Sequence, residues 1–235
     1  MHVFGATTCG PAHINQGLPN QDAWLRGEAG DLHVIAVSDG LGSRPHARTG
    51  AQAACHAVLD AVRQWRRHPQ APFDVLLGLV HLLWRARIAP LNPEDCACTC
   101  LMAALRSDGS GFAAQLGDGL VLLHTDEYTR ALGRRDENDF ANETLALGQT
   151  RRLSAWHQVR LSSGERTIIL CTDGVADDLL PERLASFASW LRDEIAPIPP
   201  RRRWQTLRGQ LIAWPTPHHL DDKTIAVIQT PRRTL

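Results

Sequence analysis

The chain reads as an α+β protein, with antiparallel sheets in layers and helices packed outside them. Three observations predict this. Short apolar runs bounded by turn residues dominate the 235 residues. The runs come in consecutive groups, whereas a doubly wound parallel sheet alternates strand with helix. The few stretches of helical periodicity fall between those groups. The length suits one large domain or at most two small ones. A chain of this size buries roughly 70% of its unfolded surface and folds without a disulfide or zinc staple.

In chain order, the first strands are expected over residues 3–9, 22–26 and 32–38, the last an apolar run from Leu32 to Val37 interrupted only by His33. Residues 50–67 carry Ala54, Val58, Ala61, Val62 and Trp65 on one helical face. A second helix is expected over 73–88. Its most apolar stretch, 75–84, is about half a membrane span and contains His81. A strand follows over 96–106, where Cys96, Cys98 and Cys100 alternate onto one face and read as small apolar core residues. Strands 111–116 and 120–124 are joined through Asp118-Gly119, a favoured two-residue hairpin turn. Strands 156–161 and 167–172 come next. Helices are then expected over 181–195 and 201–214, linked by the rigid Pro197-Ile198-Pro199-Pro200, and a final strand over 224–229. Asp177 and Asp178 read as residues of a helix start, favoured there by the dipole. Arg201-Arg202-Arg203 reads as a solvated helix start.

Composition excludes several function classes. Acidic and basic residues number 25 each, so nucleic acid and anionic membrane, which demand a basic excess, are not expected as partners. Lys223 is the only lysine, and no Gly-Lys-Ser/Thr phosphate loop exists. Gly-x-Ser-x-Gly and His-Glu-x-x-His are also absent. Gly40-Leu41-Gly42 is not a dinucleotide loop, because Pro45 takes the place of the third glycine. The six cysteines lie in apolar surroundings and no segment has the form of a signal peptide, so a reduced, cytoplasmic protein is expected.

One pattern recurs three times: an apolar strand running straight into Asp-Gly, at Asp39-Gly40, Asp118-Gly119 and Asp173-Gly174. A hairpin suits the second, which has a returning strand. It fails for the first and third, which lead through loops into helices. Asp221-Asp222 precedes the last strand and Asp22 opens an early one. Carboxylates crowded at strand ends repel one another and raise their own pKa values. A divalent cation removes that penalty, and an all-oxygen donor set suits Mg²⁺ or Mn²⁺. Ordinary turn and cap aspartates would give the same spacing.

Asn20-Gln21-Asp22, Ser38-Asp39-Gly40-Leu41-Gly42-Ser43, Ala97-Cys98-Thr99, Leu116-Gly117-Asp118-Gly119, Leu170-Cys171-Thr172-Asp173-Gly174 and Leu220-Asp221-Asp222-Lys223-Thr224 occur in one order. In that order they resemble the motifs of the metal-dependent protein phosphatases, the PPM or type-2C family. Phe140-Ala141-Asn142-Glu143-Thr144 is similar to its compact bacterial branch. The resemblance implies a four-layer α-β-β-α sandwich over residues 1–235 as a single domain. It implies a serine/threonine phosphoprotein phosphatase using two Mn²⁺ or Mg²⁺ ions, acting on a phosphoprotein and opposing a bacterial kinase.

Carried over by position, Asp39 would bridge both ions and the Gly40 carbonyl would ligate one. Asp173 and Asp221 would hold the other, and Asp22 would orient the nucleophilic water. Asp118 matches the position of a third, weaker ion in bacterial members, beside its plain hairpin reading. Asp222 replaces the family's usual asparagine and is expected to support the ligands from behind. The segment 129–153 is expected to include the flap beside the site.

Two positions depart from the family pattern. Gly17 stands where many members have a phosphate-binding arginine, and Leu41 where some have a proton-donating histidine. Arg44 and Arg48 are the nearest substitutes for phosphate binding, with His13 and His46 behind them. The same departures suit the alternative, a phosphatase-like regulatory module that binds a phosphoprotein or kinase without turnover.

Overall fold

The computed structural model describes residues 1–68, 70–133, 145–215 and 220–231. The 140–144 motif lies outside the described residues, as does part of the expected flap.

Among the described residues, ten strands form two five-stranded antiparallel sheets. In the first, the order is β1 (His2–Thr8), β10 (Lys223–Gln229), β9 (Thr167–Cys171), β6 (Leu120–His124) and β7 (Thr129–Leu132). In the second it is β2 (Ala23–Ala29), β3 (Leu32–Ser38), β4 (Cys100–Leu105), β5 (Gly111–Leu116) and β8 (His157–Leu161). Helices α2 (Ala47–Trp65) and α3 (Phe73–Ile88) cover the second sheet; α5 (Leu184–Trp190) and α6 (Pro200–Ile212) cover the first. This is the four-layer sandwich expected from the sequence.

The central strands are apolar on both faces because both faces are buried. Side chains alternate across a strand, so β3 sends Ile35 and Val37 into the layer between the sheets and Val34 and Ala36 toward the helices. In β9, Ile168 and Leu170 face the other sheet while Ile169 and Cys171 face the helices. The inter-sheet layer is closed by Leu101, Leu105, Val121, Ala226 and Ile228. Cys96, Cys98 and Cys100 are buried free thiols in the layer under α2 and α3, as core residues should be.

Three local expectations are corrected. Asp118-Gly119 is not a hairpin, because β5 and β6 belong to different sheets. The chain crosses between them through Gly117 and Gly119, both at positive φ (93° and 92°), which glycine adopts without a Cβ clash. Asp177 does not start a helix. Helix α4 (Asp173–Ala176) begins four residues earlier, at the Thr172 cap, and Asp177 caps its C-terminal end. The segment expected as one helix over 181–195 is a 3₁₀ turn (Pro181–Arg183), α5 and a π turn (Leu191–Ile195). One short helix, α1 (Pro11–Gln16), carried too little apolar periodicity to be read, and none of its residues is buried.

Register places the strand ends together. Ala23 pairs with Ser38, Cys100 with Leu116, and Ile225 with Cys171. The loops after β3, β5 and β9 and before β2 and β10 therefore emerge at one end of the sandwich. Gly50 in α2 keeps that end tight. A Cβ there would stand 1.8 Å from the Cys96 carbonyl oxygen, and the Trp84 indole donates to the Gly50 carbonyl at 3.1 Å. Helix propensity favours alanine over glycine by about 1 kcal/mol, but overpacking against backbone costs about 1–3 kcal/mol. Gly50→Ala is expected to destabilise the protein despite its better helix propensity, as urea melts will show; a gain in stability would refute this close approach.

Candidate functional site

Asp39 leaves β3 and is held by a reciprocal pair of hydrogen bonds. Its amide donates to the Thr99 hydroxyl at 2.9 Å, and the Thr99 amide donates to its carbonyl at 2.8 Å. The Ser38 hydroxyl donates to the Thr99 carbonyl at 2.5 Å. Thr99 thus fixes the backbone of Asp39 and leaves its carboxylate to the aspartate cluster, a role the sequence motif marks but does not explain. Gly40 continues as an isolated bridge to Cys98.

Carboxylate oxygens of Asp39, Asp118 and Asp173, from the ends of three strands in two sheets, lie within 4.8 Å of one another. Asp173 opens α4 and accepts from the Gly174 amide at 2.6 Å. Gly174 is required by a close approach, since a Cβ there would stand 2.1 Å from the Asp222 carbonyl oxygen. Asp22 is buried, accepts from the Thr172 hydroxyl at 2.9 Å, and leaves its Oδ1 buried without a hydrogen-bond partner among the described residues. The Asp221 carboxylate accepts from the Asp222 amide at 2.7 Å. Lys223, 1% exposed, donates to the Asp221 carbonyl at 3.0 Å.

Electrostatics follow from this crowding. Burial, then the charges of Asp22, Asp173 and Asp221, hold the Asp39 carboxyl well above the usual carboxylate range. Burial first, with the nearby Asp222 charge, pushes Asp22 up to about 7, and hydroxyl donors such as Thr172 offset only part of that. Burial lowers the Lys223 pKa against the pull of the surrounding aspartates. The residues present fit a divalent cation: an orphaned buried oxygen, clustered carboxylates and oxygen-only donors are what Mg²⁺ or Mn²⁺ binds.

Asp222 is buried behind this cluster. Its Oδ1 accepts from the Gly10 amide at 2.7 Å, and its Oδ2 from the Gln21 amide at 2.6 Å and from His13 Nδ1 at 2.9 Å. It ties the 10–22 segment, which carries Asp22, to the start of β10. His13 therefore serves Asp222. Of the other phosphate-binding candidates, Arg44 is half-buried with its Nε lacking a hydrogen-bond partner among the described residues, while Arg48 and His46 are exposed at the start of α2. Gly17 is the left-handed cap of α1, with φ 67°.

Residues 9–212 match the family model described as Protein phosphatase 2C. The fold is shared with the PPM Ser-Thr phosphatase MsPP from Mycobacterium smegmatis, solved in complex with cacodylate. That match has TM-score 0.63 and 19% identity, over 98% of this chain and 99% of that one. PppA, a key regulatory component of T6SS in Pseudomonas aeruginosa, matches with TM-score 0.62 and 18% identity, over 96% and 95%. RsbX, solved in complex with magnesium, matches with TM-score 0.59 and 12% identity, over 97% and 94%. No curated protein matches the chain in sequence.

The raised carboxyls set a pH dependence for the metal-free protein. Asp22 and Asp39 hold their protons to higher pH when folded than at their ordinary value of 3.8. The folded state then binds more protons than the unfolded one, so stability is fully present below the ordinary value of 3.8 and is lost progressively as pH rises from there through about 7. In EDTA, the melting temperature should be higher at pH 6 than at pH 8, and Asp39→Asn should raise it at pH 8. Excess Mn²⁺ at pH 8 should do the same for the unaltered chain. Differential scanning fluorimetry will decide; a wild-type profile flat between pH 6 and 8 would contradict the crowding.

Proposed function

Because the chain belongs to the protein phosphatase 2C family, we propose that it is a metal-dependent serine/threonine phosphoprotein phosphatase. The single observation that carries this reading is the meeting of Asp39, Asp118 and Asp173 from three separate strand ends. Asp39 and the Gly40 carbonyl, with Asp173 and Asp221, would hold two Mn²⁺ or Mg²⁺ ions, and Asp118 would serve a third. Such ions supply charge neutralisation at the phosphate dianion and activation of water.

The chain's own residues do the rest. Thr99 fixes Asp39 through the backbone, so the carboxylate is placed before any ligand arrives. Asp22, anchored by the Thr172 hydroxyl, orients the nucleophile. Arg44 is the favoured phosphate donor: the residue is half-buried, its Nε has no hydrogen-bond partner among the described residues, and the planar fork matches two phosphate oxygens. Leu41 leaves the leaving group without a positioned acid there. Aryl phosphates, whose leaving groups need less protonation, should therefore react faster than alkyl ones.

The partner is then a phosphoprotein made by a serine/threonine kinase, in a bacterial cytoplasm, with residues 1–235 acting as one domain. No helix among the described residues is long and apolar enough to cross a membrane. A regulatory module without turnover is the second reading, and the bare Gly17 cap, which offers no cation to a phosphate, is the observation that favours it.

The deciding assay is hydrolysis of p-nitrophenyl phosphate and of phosphoserine and phosphothreonine peptides with Mn²⁺, then with EDTA. Turnover should require the metal. Asp39→Asn and Asp173→Asn should each lower kcat/KM by about a hundredfold or more while the circular dichroism spectrum stays native. Asp118→Ala should mainly raise the Mn²⁺ requirement. A folded, metal-loaded chain that turns over none of these substrates would leave the regulatory reading in place.

For Arg44→Ala, KM for a phosphopeptide should rise with metal affinity little changed. Unchanged KM would move phosphate binding elsewhere.

A further inference from the structure

We propose that Cys9, His13 and Asp222 form a second metal site, distinct from the aspartate centre, that takes a borderline-soft divalent cation of the zinc type. The Cys9 thiol, an imidazole nitrogen of His13 and a carboxylate oxygen of Asp222 lie within 4.8 Å of one another. Ligands bound to one zinc ion at about 2.0–2.3 Å come within that spread of each other. The inference stands on this geometry and does not depend on phosphatase activity.

Donor chemistry separates the two sites. Thiolate, imidazole and carboxylate together select zinc-like ions, whereas the oxygen-only cluster around Asp39 suits Mg²⁺ or Mn²⁺. The supports are already in place. Asp222 is 2% exposed, and the Gly10 and Gln21 amides fix one oxygen each. A carboxylate oxygen has two lone pairs, so Oδ2 can keep the Gln21 amide and still bind an ion where His13 now approaches at 2.9 Å. Cys9 lies just before α1 and His13, four residues on, lies in its first turn. Cys9 is half-buried, while the other five cysteines are buried. Its thiol otherwise donates to the Leu18 carbonyl at a long 3.7 Å.

The proton balance is simple. The ion takes the position of the proton between His13 Nδ1 and Asp222 Oδ2, and that proton passes through solvent to Nε2, so His13 binds as the neutral Nε2–H tautomer. The Cys9 thiol proton leaves to solvent. Three protein ligands leave the fourth tetrahedral position to water. Binding would clamp the 10–22 segment, and Asp22 with it, to the start of β10.

The test uses cobalt as a spectroscopic stand-in for zinc, added to the full chain in saturating Mg²⁺ under anaerobic conditions. A cobalt–thiolate charge-transfer band should appear in the near ultraviolet, saturate at one equivalent and be bleached by Zn²⁺. It should be lost in Cys9→Ser and in His13→Ala but kept in Asp39→Asn, because the aspartate centre has no sulfur ligand. Absence of the band in the unaltered chain, or its survival in Cys9→Ser, overturns the proposal. Should Cys9→Ser fail to fold, alkylation of Cys9 in the unaltered chain serves instead: Zn²⁺ should slow it at least tenfold, and an unchanged rate overturns the site.

Discussion

Mutual repulsion among the aspartates at one end of the sandwich is the constraint around which the rest of the structure is arranged. Two unit charges about 4 Å apart interact by about 4 kcal/mol at an effective dielectric constant of about 20. A domain is stable by only about 5–15 kcal/mol in total. Burial first, and then the charges of Asp22, Asp173 and Asp221, therefore hold the Asp39 carboxyl well above the normal range in the metal-free chain, and burial with the Asp222 charge pushes Asp22 up to about 7. The one lysine answers part of this: it is buried beside them and bonds to the Asp221 carbonyl.

Holding such a cluster requires a scaffold that does not yield. The three apolar layers supply it: one between the sheets and one under each helical layer. Because interiors pack at crystal-like density, strand ends cannot drift apart to relieve the charge. Polar bonds then fix the loops. Thr99 holds Asp39 and Thr172 holds Asp22. Asp222 gathers the amides of Gly10 and Gln21 with His13. Gly10 permits this contact by its missing side chain, since a Cβ there would stand 2.2 Å from the Asp221 carbonyl.

Asp222 also shows why one residue type, repeated in sequence, can do opposite work. It neighbours Asp221, yet its oxygens are turned inward onto backbone amides, whereas Asp221 belongs to the charged cluster. Three donors suit a buried carboxylate, which is costly to bury unless fully hydrogen-bonded.

The sequence by itself determined the apolar runs, most helix and strand positions, and the set of aspartates. Strands β3, β5 and β6 and helix α3 fall where periodicity put them, because alternation and helical spacing are local properties of the chain. It could not say which sheet a strand joins. Local sequence made Asp118-Gly119 a good hairpin, but the apolar faces of β5 and β6 are buried in opposite sheets, and that pairing overrode the turn preference. Nor could it assign Asp177 to the end of a helix, or give His13 a partner 209 residues away. Contacts across such separations depend on register and packing, which only the folded chain fixes. The tertiary structure alone decided which carboxylates meet and which one turns away.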